Sequence, residues 1–174
     1  KRYYVVARAS DTAGNVQSVF ALGTSSVSFV YDTETPGIYI STPVYAAGTL
    51  RSKKLKDGGG YSVFAGTAAD TSPGVLTKVE VRIKDTAANK YANPSGLAFN
   101  ILESQSETAW FAAATSNGWL DWSVSSAVPF SGGREYRFEA RAYDKTGQYS
   151  AAYSTRTVIY DQSAPVSTMT FPAE

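Results

Sequence analysis

The chain has 174 residues, 16 basic and 15 acidic, for a net charge of +1, and it contains neither Cys nor His. This balance offers no electrostatic steering toward nucleic acid or an acidic membrane surface, and no apolar run nears the ~18 residues of a membrane span. Without Cys there are no disulfides and no thiolate chemistry; without His the commonest general base and metal ligand are missing.

The 12 Tyr, 8 Phe and 3 Trp, set among Thr, Ser, Val and Gly, fit an all-β extracellular module long enough for one well-cored domain and a remainder. In residues 3–15, YYVVARASDTAGN, the apolar or small positions Tyr3, Val5, Ala7 and Ala9 alternate with the rest. Period two predicts a strand with one buried face. The D-x-x-G that follows is turn chemistry: Asp bonds backbone two residues on, and Gly accepts positive φ. Residues 2–10 and 24–31 thus form a hairpin, which alone is marginal in water. Thr33–Pro36 is a junction, because Pro36 lacks an N–H and fixes φ.

Ile38 and Ile40 alternate with Tyr39 and Ser41 in a strand ending at Pro43. Lys53, Lys54, Lys56 and Gly58–Gly60 read as an exposed loop, with a basic patch for anionic glycan as the alternative. Residues 61–69 form a strand whose register is open, and Asp70–Gly74 is a turn. Residues 76–84 alternate cleanly: Thr77, Val79, Val81 and Ile83 are assigned to the core, and Lys78, Glu80, Arg82 and Lys84 to water. Asn93–Gly96 is a turn, Leu97–Leu102 a strand or a short helix, and Glu103–Glu107 a polar stretch. Residues 109–115 and 120–125 read as strands around Ser116–Gly118.

Residues 136–148, YRFEARAYDKTGQ, repeat the opening pattern at a spacing of 133: Tyr3, Ala7, Arg8, Ala9, Asp11 and Gly14 fall on Tyr136, Ala140, Arg141, Ala142, Asp144 and Gly147. Tyr136, Phe138, Ala140 and Ala142 are assigned to the core, and Arg137, Glu139 and Arg141 to water. Residues 153–160 form the next strand. Tyr31, Asp32 and Pro36 then recur as Tyr160, Asp161 and Pro165 at a spacing of 129. The second copy departs at one turn position, with Gln148 where the first has Asn15.

The Y-x-V-x-A-R-A-x-D-x-A-G-N stretch resembles the penultimate strand and final hairpin of fibronectin type III and bacterial Ig-like domains, and its tyrosine resembles their tyrosine corner. Y-D-x-x-x-P resembles the junction between tandem Ig-like repeats of large bacterial surface proteins. The resemblance implies an all-β, antiparallel Ig/fibronectin III-like β-sandwich. Residues 33–161 would be one complete repeat, 1–32 the C-terminal hairpin of a preceding repeat, and 162–174 the first strand of a following one. It implies an extracellular, non-catalytic structural role as stalk, adhesin shaft or filament building block, at a cell surface or in a secreted filament. The partners would be neighbouring repeats, head to tail in the same or adjacent chains.

Three site readings accompany it. No G-x-S-x-G or S-x-x-K motif occurs, so no catalytic residue and no cofactor is assigned. No metal site is assigned either; the alternative is calcium at the junction, held by Asp32 and Glu34 with Asp11 as a further donor. Against calcium, the second junction, Asp161-Gln162-Ser163, loses one acid. Trp110, Trp119 and Trp122 are core residues, or, in an alternative reading as a carbohydrate-binding module, an aromatic platform for a cell-surface glycan. An exposed indole pair would favour the platform.

Overall fold

The computed structural model describes residues 1–43, 50–52, 62–95, 98–126 and 128–170. The lysines at 53, 54 and 56 and the glycines at 58–60 and 96 lie outside them. The chain forms strands β1 (Arg2–Val6), β2 (Ser26–Val30), β3 (Gly37–Thr42), β4 (Leu50–Ser52), β5 (Ser62–Ala69), β6 (Leu76–Asp85), β7 (Lys90–Ala92) and β8 (Phe99–Leu102); β4 and β7 lie where the sequence pattern marks no strand. A 3-10 helix, Glu103–Ala109, follows where a polar stretch was expected. β9 (Phe111–Ala112), β10 (Trp122–Ser126), β11 (Arg134–Asp144) and β12 (Ser154–Tyr160) complete the chain. The strand expected over 109–115 is thus reduced to two residues, extended by an Ala114–Ser123 bridge. Residues 162–170 are exposed and form no strand.

Two sheets face each other in the body that begins at β3. One has the order β10-β5-β3; the other runs β4-β12-β11-β6-β7-β8, with β9 also pairing β6. All these pairings are antiparallel except β12 with β4. The apolar phases of β3, β5, β6, β10, β11 and β12 point into the space between the sheets, whereas Tyr91, Ile101 and Ala109 form a separate small cluster. Ile40, Phe64, Ala68, Trp122 and Val124 come from one side. Val79, Val81, Ile83, Tyr136, Phe138, Ala140, Ala142, Val158 and Tyr160 come from the other. Phe64 and Phe138 meet across the core with ring centroids 4.7 Å apart. Ser131 N donates to the Tyr136 hydroxyl at 2.8 Å and ties the start of β11 to its preceding loop.

Gly66 resolves the open register of β5. A Cβ there would lie 2.0 Å from Tyr39 O and 2.3 Å from the Trp122 ring, so only glycine lets the indole lie against the strand.

The outward phase of β6 and β11 corrects the sequence reading. Arg82, Glu139 and Arg141 are buried, Glu80, Lys84 and Arg137 are half-buried, and only Lys78 is exposed. The 3-10 helix and Trp110 lie over this face and bring a carboxylate with them. Glu107 accepts from Arg141 Nη1 at 2.7 Å and Arg82 Nη1 at 3.3 Å. Arg82 Nε donates to Glu139 at 2.5 Å, and Arg141 Nε to Glu80 at 2.9 Å. Buried charges survive only when paired in this way. Thr77, assigned to the core, is exposed; it sits at the bulge where β6 leaves the register of β11 and donates to Asp144 O at 3.0 Å.

The hairpin β1–β2 stands apart from this core. Its pairs map one by one onto β11–β12: Tyr3 faces Phe29 as Tyr136 faces Val158, and Val5 faces Val27 as Phe138 faces Arg156. The burial does not map. Tyr136, Phe138 and Val158 are buried, whereas Tyr3, Val5 and Phe29 are exposed.

Candidate functional site: a carboxylate junction

Antiparallel order decides which loops share an end of the sandwich. β3 starts where β5 ends, and β11 ends where β6 starts. Asp32 before β3, Asp70 after β5 and Asp144 closing β11 therefore converge. One carboxylate oxygen from each lies within 4.8 Å of the others.

Local chemistry holds each acid. Asp144 is buried and its Oδ1 accepts from Thr146 N, Thr146 Oγ1 and Gln148 N at 2.8, 2.8 and 2.9 Å. Asp70 Oδ1 accepts from Thr71 N at 2.8 Å, while its Oδ2 is buried with no hydrogen-bond partner among the described residues. Gly74 makes room for that carboxylate, since a Cβ there would fall 2.2 Å from Asp70 Oδ2. Burial pushes the Asp70 carboxyl above its ordinary range, and the charges of Asp32, Asp144 and Glu34 push it the same way against the Thr71 amide. Asp32 Oδ1 accepts from Glu34 N at 3.2 Å, and Asp161 Oδ1 from Ser163 N at 2.9 Å, so both junctions make the same local turn.

Of the calcium donors considered from sequence, Asp32 is in the cluster. Glu34 acts on Asp70 through its charge. Asp11 belongs to the turn of the first hairpin, where its carboxylate accepts from Ala13 N, Asn15 N and Asn15 Nδ2 at 2.9, 2.8 and 2.7 Å. The Asn15 bonds, side chain foremost, hold its carboxyl below the ordinary range. The sequence marks Asp70 and Asp144 as turn residues; the antiparallel order of the strands is the signal that groups them with Asp32. Ca²⁺ takes oxygens at about 2.3–2.6 Å, so two of its ligands lie at most about 5 Å apart, a span this cluster fits.

The three tryptophans do not converge. Trp122 is buried in the core under β5. Trp119, half-buried at φ 76°, packs against that core and its carbonyl accepts from Ala68 N. Trp110 lies over the opposite face of the larger sheet, with Arg141 Cζ 3.9 Å and Arg82 Cζ 4.5 Å from its ring centre. Its Nε1 donates to Glu107 at 3.2 Å, and its ring meets Tyr153 edge-on. Among the described residues no ring contact joins two tryptophans, and none of the three is fully exposed.

No protein-family model matches the chain, and no curated protein shows significant sequence similarity to it.

Proposed function

We propose that this chain is a non-catalytic structural repeat module of an extracellular surface protein, acting in a stalk, adhesin shaft or filament. Residues 33–161 form one complete Ig-like sandwich, and residues 1–32 close a preceding copy. The supporting observation is that the two hairpins share the same backbone hydrogen bonds at their turns. Gly14 N donates to Asp11 O at 3.2 Å, as Gly147 N does to Asp144 O at 3.3 Å. Asp11 N donates to Asn15 O, and Asp144 N to Gln148 O, both at 3.0 Å. Gly14 and Gly147 share φ near 85–88°. The bond from Ser131 to Tyr136 matches the backbone tie of a tyrosine corner. An apolar face built like one that is covered in the second copy calls for a cover in the first, supplied by a neighbouring repeat.

Native material run on SDS electrophoresis tests this reading. A band far above 18.6 kDa supports a long tandem chain, and a band near it with head-to-tail association supports strand sharing between chains. A compact, monodisperse 18.6 kDa monomer in native solution overturns both.

The carboxylate junction favours a second reading, in which a calcium ion held by Asp32, Asp70 and Asp144 stiffens the link between units. The buried, unpartnered Asp70 Oδ2 supports it. Binding to the folded state alone raises the melting temperature by mass action. A rise of several degrees in millimolar calcium over excess EDTA is the expected result, and coincident melts remove the reading.

A further inference from the structure

We propose that Gln148 is a latch that reduces the junction between hairpin and body to a single peptide unit. Its Nε2 reaches out of the turn and donates to the main-chain oxygen of Asp32 at 3.1 Å. The same nitrogen lies 3.0 Å from Thr146 Oγ1 and 3.4 Å from Asp144 Oδ2, so the amide is aimed by the turn that carries it.

The position of the accepted carbonyl gives the latch its effect. Tyr31 belongs to the hairpin, its N–H donating to Lys1 O at 2.8 Å. The next anchored residue of the body is the buried Pro36. Without the latch, Asp32–Thr35 would keep its local turn, with Glu34 N donating to Asp32 Oδ1 at 3.2 Å, but would lose this hydrogen bond to the body. With it, Asp32 is held to the body and Tyr31 to the hairpin, so no free residue lies between them. Arg2, Phe29 and Val30 of the hairpin face Pro73, Val75 and Lys145 of the body across a cleft of about 510 Å³. The carboxylates of Asp32, Asp70 and Asp144, crowded at the same place, repel one another, and the latch opposes that repulsion.

The first hairpin differs at this position. Asn15 occupies the position of Gln148 and is one methylene shorter. Its Nδ2 turns back to Asp11 Oδ2 at 2.7 Å, and the turn keeps the same backbone hydrogen bonds.

The inference rests on treating residues 1–31 and the body as successive units; the mass measurement tests that reading, and the following experiment tests the latch by itself. In ¹⁵N relaxation of the 174-residue chain, the Thr33 amide should have an order parameter like the strands, about 0.85, and Gln148→Asn should lower it below about 0.6. The amide shifts of Lys145–Gly147 should stay in place in the variant. Three outcomes overturn the latch: Thr33 already below about 0.6 in the parent chain, Thr33 unmoved by Gln148→Asn, or loss of the turn itself in the variant.

Discussion

Phe138 shows how a single side chain carries this fold. It is fully buried, and its ring meets that of Phe64 from the facing sheet at a tilt of 34°. Truncation to Ala removes its transfer energy and leaves a cavity, so Phe138→Ala should cost about 3–5 kcal/mol in a denaturant titration. Glu107 works on the opposite face. Burial tends to raise its carboxyl, but the hydrogen bond and charge of Arg141, with Trp110 and Arg82, outweigh it and hold the group below its ordinary value of 4.5. A lowered carboxyl stabilises the fold above the unfolded value and loses that contribution as pH falls through the folded one. Thermal stability of the parent chain should therefore drop more steeply below about pH 4.5 than that of Glu107→Gln, whose curve should be flatter there. Parallel curves would mean that Glu107 contributes nothing through its charge.

At the scale of elements, β5 shows why composition does not decide a strand. VFAGTAA carries small or apolar residues on both phases, and its register follows from the indole of Trp122, which needs a bare backbone at Gly66. Gly66→Ala should destabilise by about 1–3 kcal/mol through overpacking. A melt within a degree of the parent would show that both β3 and β10 can shift away. The 3-10 helix Glu103–Ala109 is the other element that pattern did not reveal. Its sequence is polar because its covering face is ionic: Glu103 pairs with Lys84, and Glu107 with Arg82 and Arg141. Alternation in β6 and β11 marks one apolar phase correctly but cannot say whether the charged phase meets water or a second layer of charge.

On the scale of the whole molecule, the junction is where the units of the proposed array meet. Asp70→Asn removes one of three crowded carboxylates. In EDTA at neutral pH it should melt no lower than the parent, because repulsion is relieved, and any calcium-induced rise should be lost. A variant that keeps the full rise would move the ion away from Asp70. The hairpin β1–β2 completes the picture: its exposed Tyr3, Val5 and Phe29 repeat a pattern that β11 and β12 bury, so its stability depends on what covers that face.

The sequence by itself determined the longer strands, the D-x-x-G turns, the buried phase of β11 and most of that of β6, and the correspondence of the two hairpins, because each is a local matter of period and backbone freedom. Only the tertiary structure decided the rest. The cover over Arg82, Glu139 and Arg141, the dispersal of Trp110, Trp119 and Trp122, and the meeting of Asp32, Asp70 and Asp144 depend on residues up to 112 positions apart being brought to one end or one face. Strand parity made that meeting derivable in principle, whereas the ionic cover required coordinates, because a charged side chain reads the same whether its partner is water or another charge.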